Sequence, residues 1–392
     1  MRSRARWAAA AVIAALTGAC TTPLAEATSW SAVPLPDGAV AVTVTAYEAD
    51  LLVGTHSSAD PPAPGLLRRQ GQSWQPLPVR PTSGYARQAT WLSIQAEADG
   101  SLVAVGGARG GAHSNVRWTV WRGAPGDGLT EEPQAFEVFG GWGAGDQLAV
   151  VATASGPMLV GSWQSAQSGL DVAVWLARGQ AWVRQPAAGT ARESRPDLIA
   201  GPRSATDDGA GAVVVGSVLA LRAGSVLQTP AVWTSERGDT GWRRIDLPSG
   251  GQAGEAASAT CTVGSCAVVG WVGEQVAVWR LEAGVARRVE GLTSIPATSG
   301  TPIIAAARSD GRTAVLVGQG SGSVLVTEGS SGWTSRPGPA GNVTAFAVAG
   351  PSEYAVTSSV DGTVTLWCFQ DGVDGGPGAS ARAGASSPRS AC

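Results

Sequence analysis

The 392-residue chain contains no lysine, so all 27 of its positive charges are arginine. Schiff-base chemistry, which needs a side-chain amine, is thereby excluded. Histidine occurs twice, methionine twice, tyrosine three times and phenylalanine four times, and only 15% of residues are charged, for a formal net charge of −3. So weak and slightly negative a balance excludes a basic nucleic-acid binder. Low charge joined to 44% hydrophobic residues also excludes disorder along most of the chain. Past the N-terminal region no run approaches 18 uninterrupted apolar residues, so none reads as a membrane-spanning helix. What is abundant is glycine, at 54 residues, and tryptophan, at 16. The heavy use of Gly, Ala, Val and Arg is that expected of a high-GC bacterial genome.

Arg2, Arg4 and Arg6 precede an apolar run from Trp7 to Leu16, too short for a bilayer and laid out as a secretory signal. Thr17-Gly18-Ala19-Cys20 follows and resembles the lipobox of bacterial lipoproteins, with Leu16 four rather than three residues before the cysteine. The expectation is a signal peptide over 1–19, cleavage before Cys20, lipidation of Cys20 and a linker over 20–28. Localisation would then be extracytoplasmic, lipid-anchored to the cell membrane. Ala25-Glu26-Ala27 offers an ordinary cleavage site instead, which would release a secreted protein. Four further cysteines, Cys261, Cys266, Cys368 and Cys392, enter an oxidising compartment and admit three pairings. Cys261 and Cys266 flank a tight reversal, where a local bridge is easy, and that choice leaves Cys368 with Cys392. The absence of CxxC makes these clamps rather than redox groups.

One unit recurs along the chain: an apolar strand ending in Val-Gly, a variable loop, a second strand usually ending in Trp, a short turn, then another Trp and often Pro. Its marks are Gly54, Gly106, Gly161, Gly216, Gly270 and Gly318, with a degenerate seventh at Ser358, at intervals of 40 to 55 residues. Each interval is the length of a four-stranded propeller blade. Alternation such as Val42-Thr43-Val44-Thr45 gives the strand reading. Trp121, Trp175, Trp233, Trp279 and Trp367 mark third strands, and Trp74, Trp182, Trp242 and Trp333 fourth strands. Ser29-Trp30-Ser31-Ala32-Val33-Pro34 reads as a fourth strand lying before the first complete unit, whereas the last unit stops after its third. The predicted fold is therefore all-β: a seven-bladed β-propeller over 29–370, with four-stranded antiparallel blades and a ring closed by the N-terminal strand completing the last blade. The Gly/Ala/Ser-rich stretch 371–392 reads as a flexible tail.

On these marks the chain resembles the BNR/Asp-box and WD40-like propellers. The local match to an Asp-box is Thr234-Ser235-Glu236-Arg237-Gly238-Asp239-Thr240-Gly241-Trp242, with Glu where the box has Asp. The resemblance raises a sialidase-type activity, but Tyr47-Glu48 and Glu353-Tyr354 are sequence neighbours whose side chains leave opposite faces of a strand.

Functional residues are expected on the face that carries the second-to-third strand loops and the blade-to-blade links. Those loops are long in the first four units, at 55–65, 108–115, 162–169 and 217–228, and short in the last three. The candidate binding residues on this rim are His56, Tyr85, Arg87, His113, Trp142, Trp163 and Arg192, which combine apolar faces with directed donors. Glu131-Glu132, ahead of Pro133, read as surface residues. No Ser/His/Asp order, HExxH or P-loop occurs, and no cofactor or metal site is expected. The chain is accordingly expected to be a non-catalytic protein-binding or scaffolding module of the cell envelope, monomeric, without nucleic-acid partners. The alternatives are a lectin-like glycan binder and a divergent glycosidase or lyase.

Overall fold

Each unit of the repeat folds as one antiparallel meander, and the seven meanders form the blades of a propeller. A computed structural model describes residues 30–110, 114–124, 126–222, 224–292 and 294–370. Blades 1 to 7 span 39–77, 90–131, 144–185, 198–246, 254–288, 303–337 and 342–370. The first strands are innermost and pack on one another around a closed circle, that of blade 7 (Asn342–Ala349) meeting that of blade 1 (Ala39–Tyr47). Ser31–Ala32 supplies the fourth strand of blade 7, antiparallel to its third, with Ser31 opposite Cys368 and Ala32 opposite Trp367. The Val33 N–H then donates to the Leu366 carbonyl at 2.8 Å. Ring closure is thus as expected, and an edge that would otherwise be open is covered. Blade 2 gains a fifth strand, Val79–Arg80, parallel to Gly128–Glu131.

The Val-Gly mark does not end the second strand, as the sequence reading had it; the strand runs on, to Ser57 in blade 1 and Val272 in blade 5. The glycine serves the neighbouring inner strand. In blades 2 to 5 it pairs with the residue just before a β-bulge, Trp91, Gln147, Pro202 and Ala256 respectively. A Cβ at Gly216 would lie 2.1 Å from the Gly201 carbonyl oxygen, and one at Gly270 2.0 Å from that of Glu255. In these four blades the bulge bends the inner strand onto the glycine, which leaves it room, whereas in blades 1 and 7 the same position is Thr55 and Thr357. Blade 6 is paired without a register break, and there a Cβ at Gly318 would meet only the Pro302 ring, at 3.0 Å.

The third-strand tryptophans Trp121, Trp175, Trp233 and Trp279 are fully buried. In blades 3, 4 and 5 their indole N–H groups donate to carbonyls of the incoming link: Val138 at 2.8 Å, Ala191 at 3.0 Å and Pro248 at 2.8 Å. A buried indole needs such a partner, and here the bond fixes where each link crosses. Cys261 and Cys266 stand opposite each other in the first hairpin of blade 5 and are bridged. Cys368 is buried in blade 7; Cys392 and Cys20 lie outside the described residues.

A meander of this kind places the blade-to-blade links and second-to-third connections on one face. Bonds between them, such as Ser58 N–H to the Gly38 carbonyl and Gly341 N–H to that of Ser321, both 2.8 Å, confirm it. The chain enters on the opposite face at Trp30, packed at a tilt against Phe369 with ring centroids 5.4 Å apart, and the last strand ends there at Gln370. Two expected loops are largely strand. Ala212–Arg222 and Ser225–Thr234 form one projecting hairpin in blade 4, and in blade 2 the paired strands reach Gly110 and Asn115.

Substituting alanine for Gly216 or Gly270 is expected to cost about 1–3 kcal/mol through overpacking against backbone that cannot retreat. Gly318→Ala should cost less. Urea melts of the three variants check this, and equal losses would show that the bulge is not the cause.

Candidate functional site

Among the described residues, twelve large hydrophobic side chains are exposed, and nine of them lie on the link-bearing face. Eight of those nine belong to blades 2 to 4 and the links beside them: Tyr85, Leu92, Phe136, Trp142, Leu170, Leu219, Leu221 and Val226. So concentrated a display makes this sector the candidate interaction surface.

Its relief is set by glycine. Two adjoining depressions, of about 340 Å³ and 710 Å³, share Val116, Arg117, Trp118, Phe136, Phe139 and Gly140. Together they form a groove across the boundary of blades 2 and 3. A Cβ at Gly110 would fall 2.4 Å from the Tyr85 ring, one at Gly107 3.1 Å from Trp118, and one at Gly140 2.3 Å from Phe136. Each of these rings therefore packs against a glycine, in space that a side chain there would take. Trp142 stands at the groove's end, 92% exposed. Arg117 lays its guanidinium over Phe136, 4.3 Å from the ring centroid.

The side chains beneath hold this relief in place. Glu131, contrary to its surface reading, is buried and accepts four hydrogen bonds of 2.6–2.7 Å, from the N–H and hydroxyl of Thr82 and of Ser83. Burial pushes its carboxyl up, but the bonds from Ser83 and Thr82 outweigh that and leave it below the ordinary glutamate value. The link that carries Tyr85 is thereby tied to blade 2. Glu132 is spent on the Trp182 indole at 3.1 Å and on Arg122 at 3.5 Å.

The expected rim residues divide. Tyr85 and Trp142 line the groove. Arg87 is exposed on the single 3₁₀ turn Ala86–Gln88 beside it, without lining it. Trp163 is half-buried beneath the site, edge-on to Trp175 and under Arg184 at 4.3 Å, and serves as a buttress. His56 lies in blade 1, its Nδ1 2.9 Å from the Ser57 carbonyl, away from the groove. Arg192 is not a rim residue: it is 2% exposed, donates to the Val172 and Pro186 carbonyls and lies over Trp242. Burial pulls its guanidinium down to about 10, the nearby Asp171 opposing this and Arg184 adding to it. His113 lies outside the described residues. Trp118, Arg117, Phe136 and Phe139 were not foreseen. The available signal was that two of the four phenylalanines of the chain, three residues apart, fall in one link.

No family model matches the chain, and no curated protein matches it in sequence. Solved structures do. The β-propeller domain of the trilobed protease of Pyrococcus furiosus is similar at 8% identity and TM-score 0.52, over 86% of this chain and 94% of that one. A puromycin-hydrolyzing peptidase of Mycobacterium tuberculosis aligns at 15% identity and TM-score 0.54, over 88% of this chain and 54% of that one. The acylaminoacyl peptidase of Pyrococcus horikoshii aligns at 9% and 0.52, over 84% and 51%. The chain thus spans about half the length of the two peptidases. At these identities the likeness establishes the propeller and no activity. It nonetheless corrects the expectation of a non-enzyme, because these rings come from a protease and two peptidases; the missing catalytic motifs do not set the chain apart from enzymes.

Glu131→Gln removes a charged acceptor of four bonds and should destabilise by about 1–3 kcal/mol at neutral pH. Because the folded carboxyl is the more acidic one, its contribution is complete above about pH 5 and is lost as pH falls through the folded value. The gap between wild type and variant should therefore narrow as melts are carried to lower pH; a gap that does not change with pH would contradict this account.

Proposed function

We propose that this chain is an exported propeller of the bacterial envelope that binds a protein partner through the aromatic groove of blades 2 and 3. The carrying observation is the grouping of Tyr85, Trp118, Phe136 and Trp142 in one groove, on the face that bears most of the exposed apolar side chains. Rigid aromatic rings of this kind supply contact area at small entropic cost and are enriched in protein interfaces. Lipidation of Cys20 completes the reading. Nine residues separate Cys20 from Trp30, which enters on the face opposite the groove. An anchored chain would hold that face toward the membrane and present the groove outward. The Cys261–Cys266 bridge supports an extracytoplasmic location.

Affinity capture from solubilised envelope should recover the same partner with wild type and with Val263→Ala, which lies on the membrane-side face. Recovery should fall by about tenfold or more with the Phe136→Ala/Trp142→Ala pair, a loss of roughly 1.4 kcal/mol or greater. Labelled palmitate in the same cells should enter wild type and not Cys20→Ala. Equal recovery by all variants would refute the binding site, and absence of label from wild type would refute the anchor.

A further inference from the structure

The third strand of blade 2 outruns its fourth. Asn115–Ala124 pairs with Gly128–Glu131 only from Trp121 to Ala124, and its upper half is paired on the inner side alone, with Gly106–Gly110. The last bond on the outer side is from the Glu132 N–H to the Val120 carbonyl, at 2.9 Å. Main-chain groups along a strand alternate in direction, so the outward members beyond Val120 are Trp118 and Val116. Among the described residues no main-chain bond reaches either of them from that side. The covering chain is turned away because Gln134, next in line to bond Trp118, is tied to blade 3, donating to the Gln180 carbonyl at 2.7 Å and accepting from the Trp182 N–H at 3.0 Å.

Blades 3 and 5 close the corresponding edge. In blade 3 the Val172 N–H donates to the Arg192 carbonyl at 3.1 Å, and the Arg192 side chain donates back to the Val172 carbonyl at 3.1 Å. In blade 5 the Val276 N–H donates to the Ile295 carbonyl at 2.9 Å. The open edge of blade 2 is the wall of the smaller depression, whose far side is Pro133, Ala135, Phe136 and Phe139.

We infer that this edge receives an extended segment of the partner protein, added as a strand beside Asn115–Thr119; the inference rests on the groove being a protein-binding site. The partner's main chain takes the N–H and C=O groups of Val116 and Trp118, the bonding that an unpaired strand edge offers and that gives strand addition its affinity. One large apolar side chain fills the depression of about 340 Å³ against Phe136 and Phe139. An acidic side chain next to it meets Arg117. Of the charged groups lining this depression, Glu131 and Glu132 are engaged with Thr82, Ser83, Trp182 and Arg122, whereas among the described residues Arg117 rests only on a ring. The open charge is positive.

The test pans the full-length protein against a displayed random peptide library, then remakes the selected peptides with each backbone nitrogen methylated in turn. Selected sequences should carry a large apolar residue with Asp or Glu within two positions. Methylation should weaken binding by about tenfold, but only at alternate positions. Val116→Pro should weaken binding comparably. Val226→Pro, on the blade 4 hairpin that likewise outruns its fourth strand, should not. The methylated peptides change only the ligand, so their result does not depend on how well a variant folds. Loss at consecutive positions or at none, affinity that tracks Val226 rather than Val116, or failure to select any peptide would overturn strand addition. Peptides that lose affinity with Phe136→Ala/Trp142→Ala yet show no alternation would overturn it while leaving the groove as the binding surface.

Discussion

The structure depends on the contact between a bulged inner strand and a glycine of the second strand. With the Cβ position of Gly216 2.1 Å from the Gly201 carbonyl oxygen, and that of Gly270 2.0 Å from the Glu255 oxygen, no other residue fits. The bulge sharpens the twist of the inner strands that carry it, where the links arrive. The inner strands then pack side by side into a closed circle, and the remaining strands fan outward from them. Closure by Ser31–Ala32 completes the last sheet, so the blades support one another around the whole ring.

The seams between blades explain how a chain without lysine uses its cations. Arg69, 4% exposed, lies between Trp74 of blade 1 and Tyr354 of blade 7. Arg192 of the link between blades 3 and 4 covers Trp242, and Arg336 of blade 6 covers Phe369 of blade 7 while holding the buried Glu353. Guanidinium is planar and weakly hydrated, and it keeps its charge when its pKa falls, as that of Arg192 does; an ammonium at the same depth would be far more costly. Arginine here is a packing residue as much as a charge, which is why a polar residue in a link did not by itself signal a binding rim.

The ring was legible in the amino-acid order because its constraint is local and repeats. A Val-Gly and a Trp return in nearly every unit, and the displaced strand at Ser31 reveals the closure. The site was legible only in part. Tyr85 and Trp142 were recognisable as aromatics in links, which solvent normally reaches. Arg192 has the same kind of address and is buried, because its link folds back to bond Val172. Trp118 and Phe136 form the groove only because Gln134 turns the chain toward blade 3, and that depends on Gln180 and Trp182, almost fifty residues onward. Pairings over such distances leave no periodic trace. The length of a hairpin misled for a related reason: the stretch 217–228, with Arg, Ser and Gly at its middle, reads as loop, yet it folds back on itself as paired strand from Ser217 opposite Pro230 to Arg222 opposite Ser225.

The central claim is that a rigid ring confines recognition to one sector of one face. Its most direct measurement is photo-crosslinking in intact cells, with a photoreactive amino acid placed singly at Trp142, at Val360 on the same face in blade 7, and at Val285 on the opposite face. The account predicts a discrete protein adduct from position 142 and none from 360 or 285. Adducts from 360 or 285 with none from 142 would contradict it.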